Sequence, residues 1–220
     1  VGSGSAWSTS DGQQMLWDAE RTPVTMIAYA PYMSEAAPDA SLAVNALTNQ
    51  ATEENVKSSD FLLMKATVDP EQDLTADGKL KISLSHAMSK LIIKITVNGT
   101  TDAAMNKLGD MSINGAVVNG ICDLSATVPM VVPAPDAVVA TVAPYKGTES
   151  CECILPPQKI AEGFSVNFSY DGKLYIWTAK EAIELEKGVE HTLTLNVNTT
   201  VRLASKMARN WATGQLIDRN

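Results

Sequence analysis

The run Phe164-Ser-Val-Asn-Phe-Ser-Tyr170, followed by Asp171-Gly172 and then Lys173-Leu-Tyr-Ile-Trp177, constrains this 220-residue chain more tightly than any other stretch. Two alternating runs around an Asp-Gly pair are the signal of a two-residue hairpin turn. Such a turn pairs Tyr170 with Lys173, which sets Phe168 opposite Tyr175 and Val166 opposite Trp177 and makes one face aromatic. A chain with this hairpin has to build a sheet and cover that face. Most of the remaining text has the same period. Val24–Ala30, closed by Pro31, reads as a buried strand and Phe61–Val68 as another. Short strands are expected near Met111–Ile113 and Ala116–Leu124. Val128–Val142 is broken by Pro129, Pro133 and Pro135, which suits edge strands and crossings. His191, Leu193, Leu195 and Val197 alternate with Thr192, Thr194 and Asn196 as a half-buried strand after a Glu186-Lys187-Gly188 turn. Residues 33–59 show no clean period and read as a long connection with at most one helical turn. Val201–Trp211 fits either a helix or a continuing strand, and a membrane-surface helix is disfavoured by its small, alanine-rich apolar face.

One segment carries a contradiction. In Leu80-Lys-Ile-Ser-Leu84 the apolar residues are even-numbered, whereas in Leu91, Ile93, Ile95 and Val97 they are odd-numbered. A strand has a strict period of two, so the chain must bulge, bend or break between Ser85 and Lys90. His86 shares the even phase with Ile82 and Leu84. It is expected to point inward as a polar pin, its ring bonded to backbone at the bend.

Composition bounds the function. A formal net charge of −8 argues against nucleic acid, which needs a basic face. No run of 18 apolar residues is present to cross a membrane as a helix. The sequence starts at Val1, so any targeting segment is expected to lie outside it. Cys122, Cys151 and Cys153 are an odd number and cannot form a full disulfide framework. The Cys151-Glu-Cys153 spacing puts two thiols on one face of a strand, but no second pair with metal-ligand spacing accompanies them. Two buried free thiols, or one local redox-sensitive pair, is the better reading.

Candidate chemistry is thin. Ser85 and His86, adjacent on a strand, point to opposite faces and cannot act together. Ser83 or Ser89 with His86 would need an orienting carboxylate that the sequence does not locate, and neither GxSxG nor SxxK occurs. His191 likewise opens a strand on its inward phase. Asp69, Glu71, Asp73 and Asp77 lie in one loop, but Leu74 and Leu80 stand where a calcium loop needs glycine and glutamate. No phosphate-binding glycine loop is present. Of the tryptophans, Trp177 belongs to the core, so a sugar-stacking surface would have to come from Trp7, Trp17 or Trp211. Residues alone therefore give an all-β sandwich protein of two domains. No catalytic, cofactor or metal site is expected.

Six stretches in order, LWDAERTPVTMIAYAPY, SDFLLMKATV, SHAMSKLIIKITV, ILPPQKI, LEKGVEHTLTLNV and NWATG, resemble the fimbrillin-like proteins of Bacteroidetes. Those are the subunits of type V pili and related surface lipoproteins. The resemblance spans most of the chain, with Thr100–Ser150 unmatched. It departs at His191, where the family usually has tyrosine, and before Trp7, where the family has a further N-terminal region. It implies two tandem transthyretin-like β-sandwich domains, residues 1–98 and 99–220, the first without its first strand. It implies a non-enzymatic subunit or adhesin of cell-surface fimbriae, assembled by strand complementation. In pilus subunits of this family a surface protease removes the first strand after an arginine, and a strand from the next subunit fills the groove. The expected partners are other fimbrial subunits and a host or bacterial surface glycan or protein. The expected place is the cell surface, outer membrane or fimbrium, with membrane contact through a lipid anchor outside this chain. The alternative is a non-polymerising glycan- or protein-binding surface lipoprotein module.

Overall fold

In the computed structural model, residues 17, 20–33, 41–99, 103–197, 206–209 and 216–217 are described. Eighteen strands and one α-helix occur among them. In chain order these begin with β1 Val24–Ala30, β2 Ser41–Asn45, the helix α1 Glu53–Ser59, β3 Leu62–Val68, β4 Ser85–His86 and β5 Ser89–Val97. The middle holds β6 Leu108–Val117, β7 Asn119–Asp123, β8 Val131–Pro133, β9 Val139–Val142, β10 Tyr145–Lys146, β11 Cys151–Leu155 and β12 Gln158–Ile160. The last are β13 Ser165–Tyr170, β14 Lys173–Thr178, β15 Ile183–Leu185, β16 Glu190–Val197, β17 Lys206–Arg209 and β18 Leu216–Ile217.

The β13–β14 hairpin folds in the register its turn dictates, with Val166 opposite Trp177, Phe168 opposite Tyr175 and Tyr170 opposite Lys173. Asp171 and Gly172 both take positive φ, 51° and 74°, the geometry whose twist matches that of the flanking strands. The Phe168 and Tyr175 rings stack 5.5 Å apart, and Trp177 meets Phe164 edge-on at 6.3 Å. This hairpin is one side of a four-stranded sheet, β14-β13-β6-β9. A six-stranded sheet runs β10-β11-β5-β16-β17-β18, with β5 and β16 parallel. Three smaller sheets are β1-β3-β4, β2-β7-β8 and β12-β15.

The parity change is where the chain passes from one sheet to another. β4 pairs with β3, and two residues later β5 enters the six-stranded sheet. Ala87, Met88 and Ser89 are buried in succession across the crossover between the two sheets, and Leu91, Ile93 and Ile95 then bury the odd phase. Strand pairing also crosses the expected domain boundary: β5 precedes residue 98, yet its partners β11 and β16 both follow it. β2 similarly pairs with β7. One continuous hydrophobic core collects Leu42, Phe61, Leu91, Ile113, Phe164 and Leu193 from both halves.

Residues 33–59, expected to be a connection, contain β2 and α1. β2 escapes notice because it is short; Leu42 and Val44 point inward only once β7 is beside them. α1 starts where the Thr52 side chain accepts from Asn55 N–H at 3.2 Å, an N-cap. Of the ambiguous C-terminal segment, residues 206–209 form a strand on β16. The rest of it, Trp211 included, lies outside the described residues, as does Trp7.

Candidate functional site: an open strand edge and a cleft at the sheet crossover

β1 is written VTMIAYA, apolar on both faces. It hydrogen-bonds β3 from Val24↔Val68 to Ala30↔Leu62, and among the described residues nothing pairs with its other edge. Expected to be buried, it is not: Met26 to Ala30 are each half-buried and Val24 is exposed. The inward side chains Ile27 and Tyr29 touch the core, and the Tyr29 ring lies 5.9 Å from Phe61. Among the described residues this seven-residue strand, half-covered on both faces, therefore leaves one row of backbone groups without a strand partner.

A cleft of about 390 Å³ opens where α1, the β4–β5 crossover, β11 and the Glu186–Glu190 turn meet. Its floor is Val56, Met88, Ile154 and Val189, and its rim carries Glu53, Lys57, Asp60, His86, Lys90, Glu152 and Glu190. Lys90 Nζ lies 2.8 Å from Glu152 and 3.7 Å from Glu190. Partial burial works to lower the Lys90 pKa, but the hydrogen bond and charge of Glu152, with Glu190, outweigh it and hold the ammonium above its ordinary value. The pairing follows from register, because Lys90 on β5, Glu152 on β11 and Glu190 on β16 lie on adjacent strands of one sheet.

His86 stands on this rim, and the expectation for it fails. Its ring is exposed, and Nδ1 lies 2.7 Å from Asp60 Oδ2, not against backbone. Residues 81–84 form no ladder, so their even phase does not carry over to His86. Asp60 closes α1, and the Leu62↔His86 pairing of β3 and β4 brings the ring to it. Ser83 and Ser85 are exposed and Ser89 is buried, its hydroxyl reaching Val189 O at 3.4 Å. His191, at the start of β16, accepts a hydrogen bond through Nε2 from Glu186 N–H at 2.9 Å. Burial lowers its pKa, against the opposing charges of Glu186 and Glu184.

Cys151 and Cys153 are buried free thiols on one face of β11, and Cys122 is buried in β7. Burial raises the Cys151 pKa to about 11 and that of Cys153 further. Such thiols are poor nucleophiles. The acidic loop is satisfied within itself: Asp69 accepts from Glu71 N–H and Gln72 Nε2, and Asp73 from Asp69 N–H. No group of three or more His, Cys, Asp or Glu able to hold a metal ion occurs among the described residues. Trp17 is half-buried, with its indole N–H on Thr22 O at 2.7 Å.

Two glutamine contacts, one of them fully buried, were not legible in the sequence. Gln50, fully buried, donates from Nε2 to Ile154 O at 2.8 Å and accepts at Oε1 from Ile154 N–H at 2.8 Å. Its amide takes the place of a strand beside β11 where the two-residue β10 has ended. Gln158 does the same for Val117 of β6, at 2.9 Å in both directions. Only the ILPPQKI stretch hinted at the second.

Comparison with known proteins gives this arrangement its family. A family model for fimbrillin-like proteins matches residues 1–211. The chain belongs to the fimbrillin-like family. A crystal structure of an inferred cell adhesion protein from Bacteroides uniformis is 17% identical, with a TM-score of 0.67 over 92% of this chain and 78% of that one. A second inferred cell adhesion protein, from Bacteroides ovatus, is 19% identical, with a TM-score of 0.60 over 92% and 72%. A fimbrial protein from Bacteroides ovatus is 17% identical, with a TM-score of 0.50, and here 98% of this chain covers 43% of that one. These likenesses establish a shared fold. A search of curated proteins finds no match. Fimbrillin-like proteins are structural and non-enzymatic, and this chain is one of them.

Proposed function

We propose that this fimbrillin-like chain is a subunit or adhesin of cell-surface fimbriae that takes up a β-strand from another subunit along the open edge of β1. The observation that carries the reading is β1 itself, paired on one side and half-buried from Met26 to Ala30. An added strand satisfies the free backbone groups and covers the outer apolar side chains in one step. The two-unit organisation near residues 98–99 belongs to the same proposal, with the six-stranded sheet shared across it. Export to the outer surface through a lipid anchor completes it.

The test is to mix the purified chain with a peptide of residues 201–220 and, separately, to concentrate the chain alone. A thermally stabilised complex, or an SDS-resistant ladder, is expected. A chain that neither binds the peptide nor associates end to end at any concentration rejects the polymerising form of the reading.

A further inference from the structure

The chain has two histidines, and both lie against the same turn. His191 Nε2 accepts from Glu186 N–H at 2.9 Å. On the other side, the His86 carbonyl abuts Gly188, where an added Cβ would stand 3.1 Å from it. The turn is fastened to the sheet crossover by two more backbone bonds, Gly188 N–H to Met88 O at 2.8 Å and Lys90 N–H to Val189 O at 3.0 Å. Gly188, Val189 and Glu190 also form one wall of the cleft.

An amide N–H can only donate, so the bond from Glu186 requires an unprotonated Nε2 with its lone pair free. An imidazolium has no such lone pair and presents a second donor instead. We propose that His191 is an acid-sensitive latch: protonation cancels the Glu186 bond, and the Glu186–Val189 turn loosens from Met88–Lys90 and widens the cleft. The charged groups around His191 are Glu184 on β15 and Glu186 on the turn, which attract the proton. On β5 the adjacent Lys90 is held by Glu152 and Glu190. Burial opposes the charge and lowers the ring's pKa, so the latch stays shut near neutrality and releases in acid. His86 takes no part in the latch through its ring, whose Nδ1 lies on Asp60 Oδ2 at 2.7 Å and not on the turn.

The experiment is amide hydrogen exchange by NMR on the full chain, corrected for intrinsic rates, at about pH 7.5 and below the midpoint read from the ring 15N shifts of His191. Protection at Glu186, Gly188 and Lys90 is expected to fall roughly fivefold on protonation, the size of one lost hydrogen bond. Phe168 in the β13–β14 hairpin is expected to hold. His191→Gln keeps an acceptor that does not titrate, and its protection is expected to be the same at both pH values. His86→Ala is expected to keep the wild-type response. The proposal is overturned by a His191 ring that stays neutral until the chain unfolds, by unchanged protection across its titration, or by an acid response that survives in His191→Gln.

Discussion

Gln50→Leu removes an amide that stands in for a strand. Leucine fills a similar volume, so the loss is polar, not steric. In an antiparallel ladder the N–H and C=O of one residue point the same way, and those of Ile154 point away from β5 toward Gln50. Without the amide both are left buried and unpaired, while Leu47 O, which Gln50 Nε2 also reaches at 2.9 Å, belongs to an exposed residue and can turn to water. Each orphaned buried group costs about 1–3 kcal/mol, so two that cannot reach water cost about 2–6 kcal/mol together. Urea unfolding followed by tryptophan fluorescence is then expected to shift its midpoint down by roughly 1–2 M with the slope unchanged. Gln50→Glu sharpens the test, because a carboxylate faces the carbonyls of Leu47 and Ile154. It is expected to destabilise at neutral pH and to recover part of the loss in acid, where a protonated carboxyl donates to one of them. A Gln50→Leu chain within about 1 kcal/mol of wild type would refute the reasoning, since the amide would then not be replacing a ladder.

Four other outcomes follow from the same geometry. Trp177→Ala empties a nearly buried site against Phe164 and is expected to cost about 3–5 kcal/mol by denaturant titration. Gly188→Ala puts a side chain at φ 68° and 3.1 Å from His86 O, and is expected to cost about 1–2 kcal/mol in the same assay. His86→Ala removes a side-chain hydrogen bond to Asp60 from a histidine that is 67% exposed, and is expected to cost less than about 1 kcal/mol. For Cys151 the folded pKa lies above the unfolded value of 9.0, so its contribution is complete below pH 9 and is lost as pH rises toward about 11. Cys151→Ala is therefore expected to flatten the decline in stability over that window, measured by urea titrations at stepped pH.

What the sequence disclosed depends on how far apart the interacting residues lie. The β13–β14 hairpin was legible to the residue because Asp171-Gly172 fixes its register locally; the break expected between Ser85 and Lys90 does fall at the β4–β5 crossover, although residues 81–84, from which it was argued, are not a strand. The meeting of Lys90, Glu152 and Glu190 was not. Each reads as outward on its own strand, but β5, β11 and β16 find one another across 60 to 100 residues, and nothing local encodes that order. His86 was misread because phase was extended through residues 81–84, which have no partner strand to enforce it. β1 was recognised as a strand and misjudged in depth, since an apolar run does not say whether both its edges are covered. That difference carries the functional reading.

The central claim is that β1 accepts a strand from another subunit, and hydrogen exchange with mass spectrometry on free chain and assembled multimer tests it most directly. Peptides covering Val24–Ala30 are expected to exchange rapidly in the free chain and to gain protection on assembly, while the β13–β14 hairpin stays constant. Multimers in which β1 exchanges as fast as before, with protection gained along another edge such as β14, would contradict it.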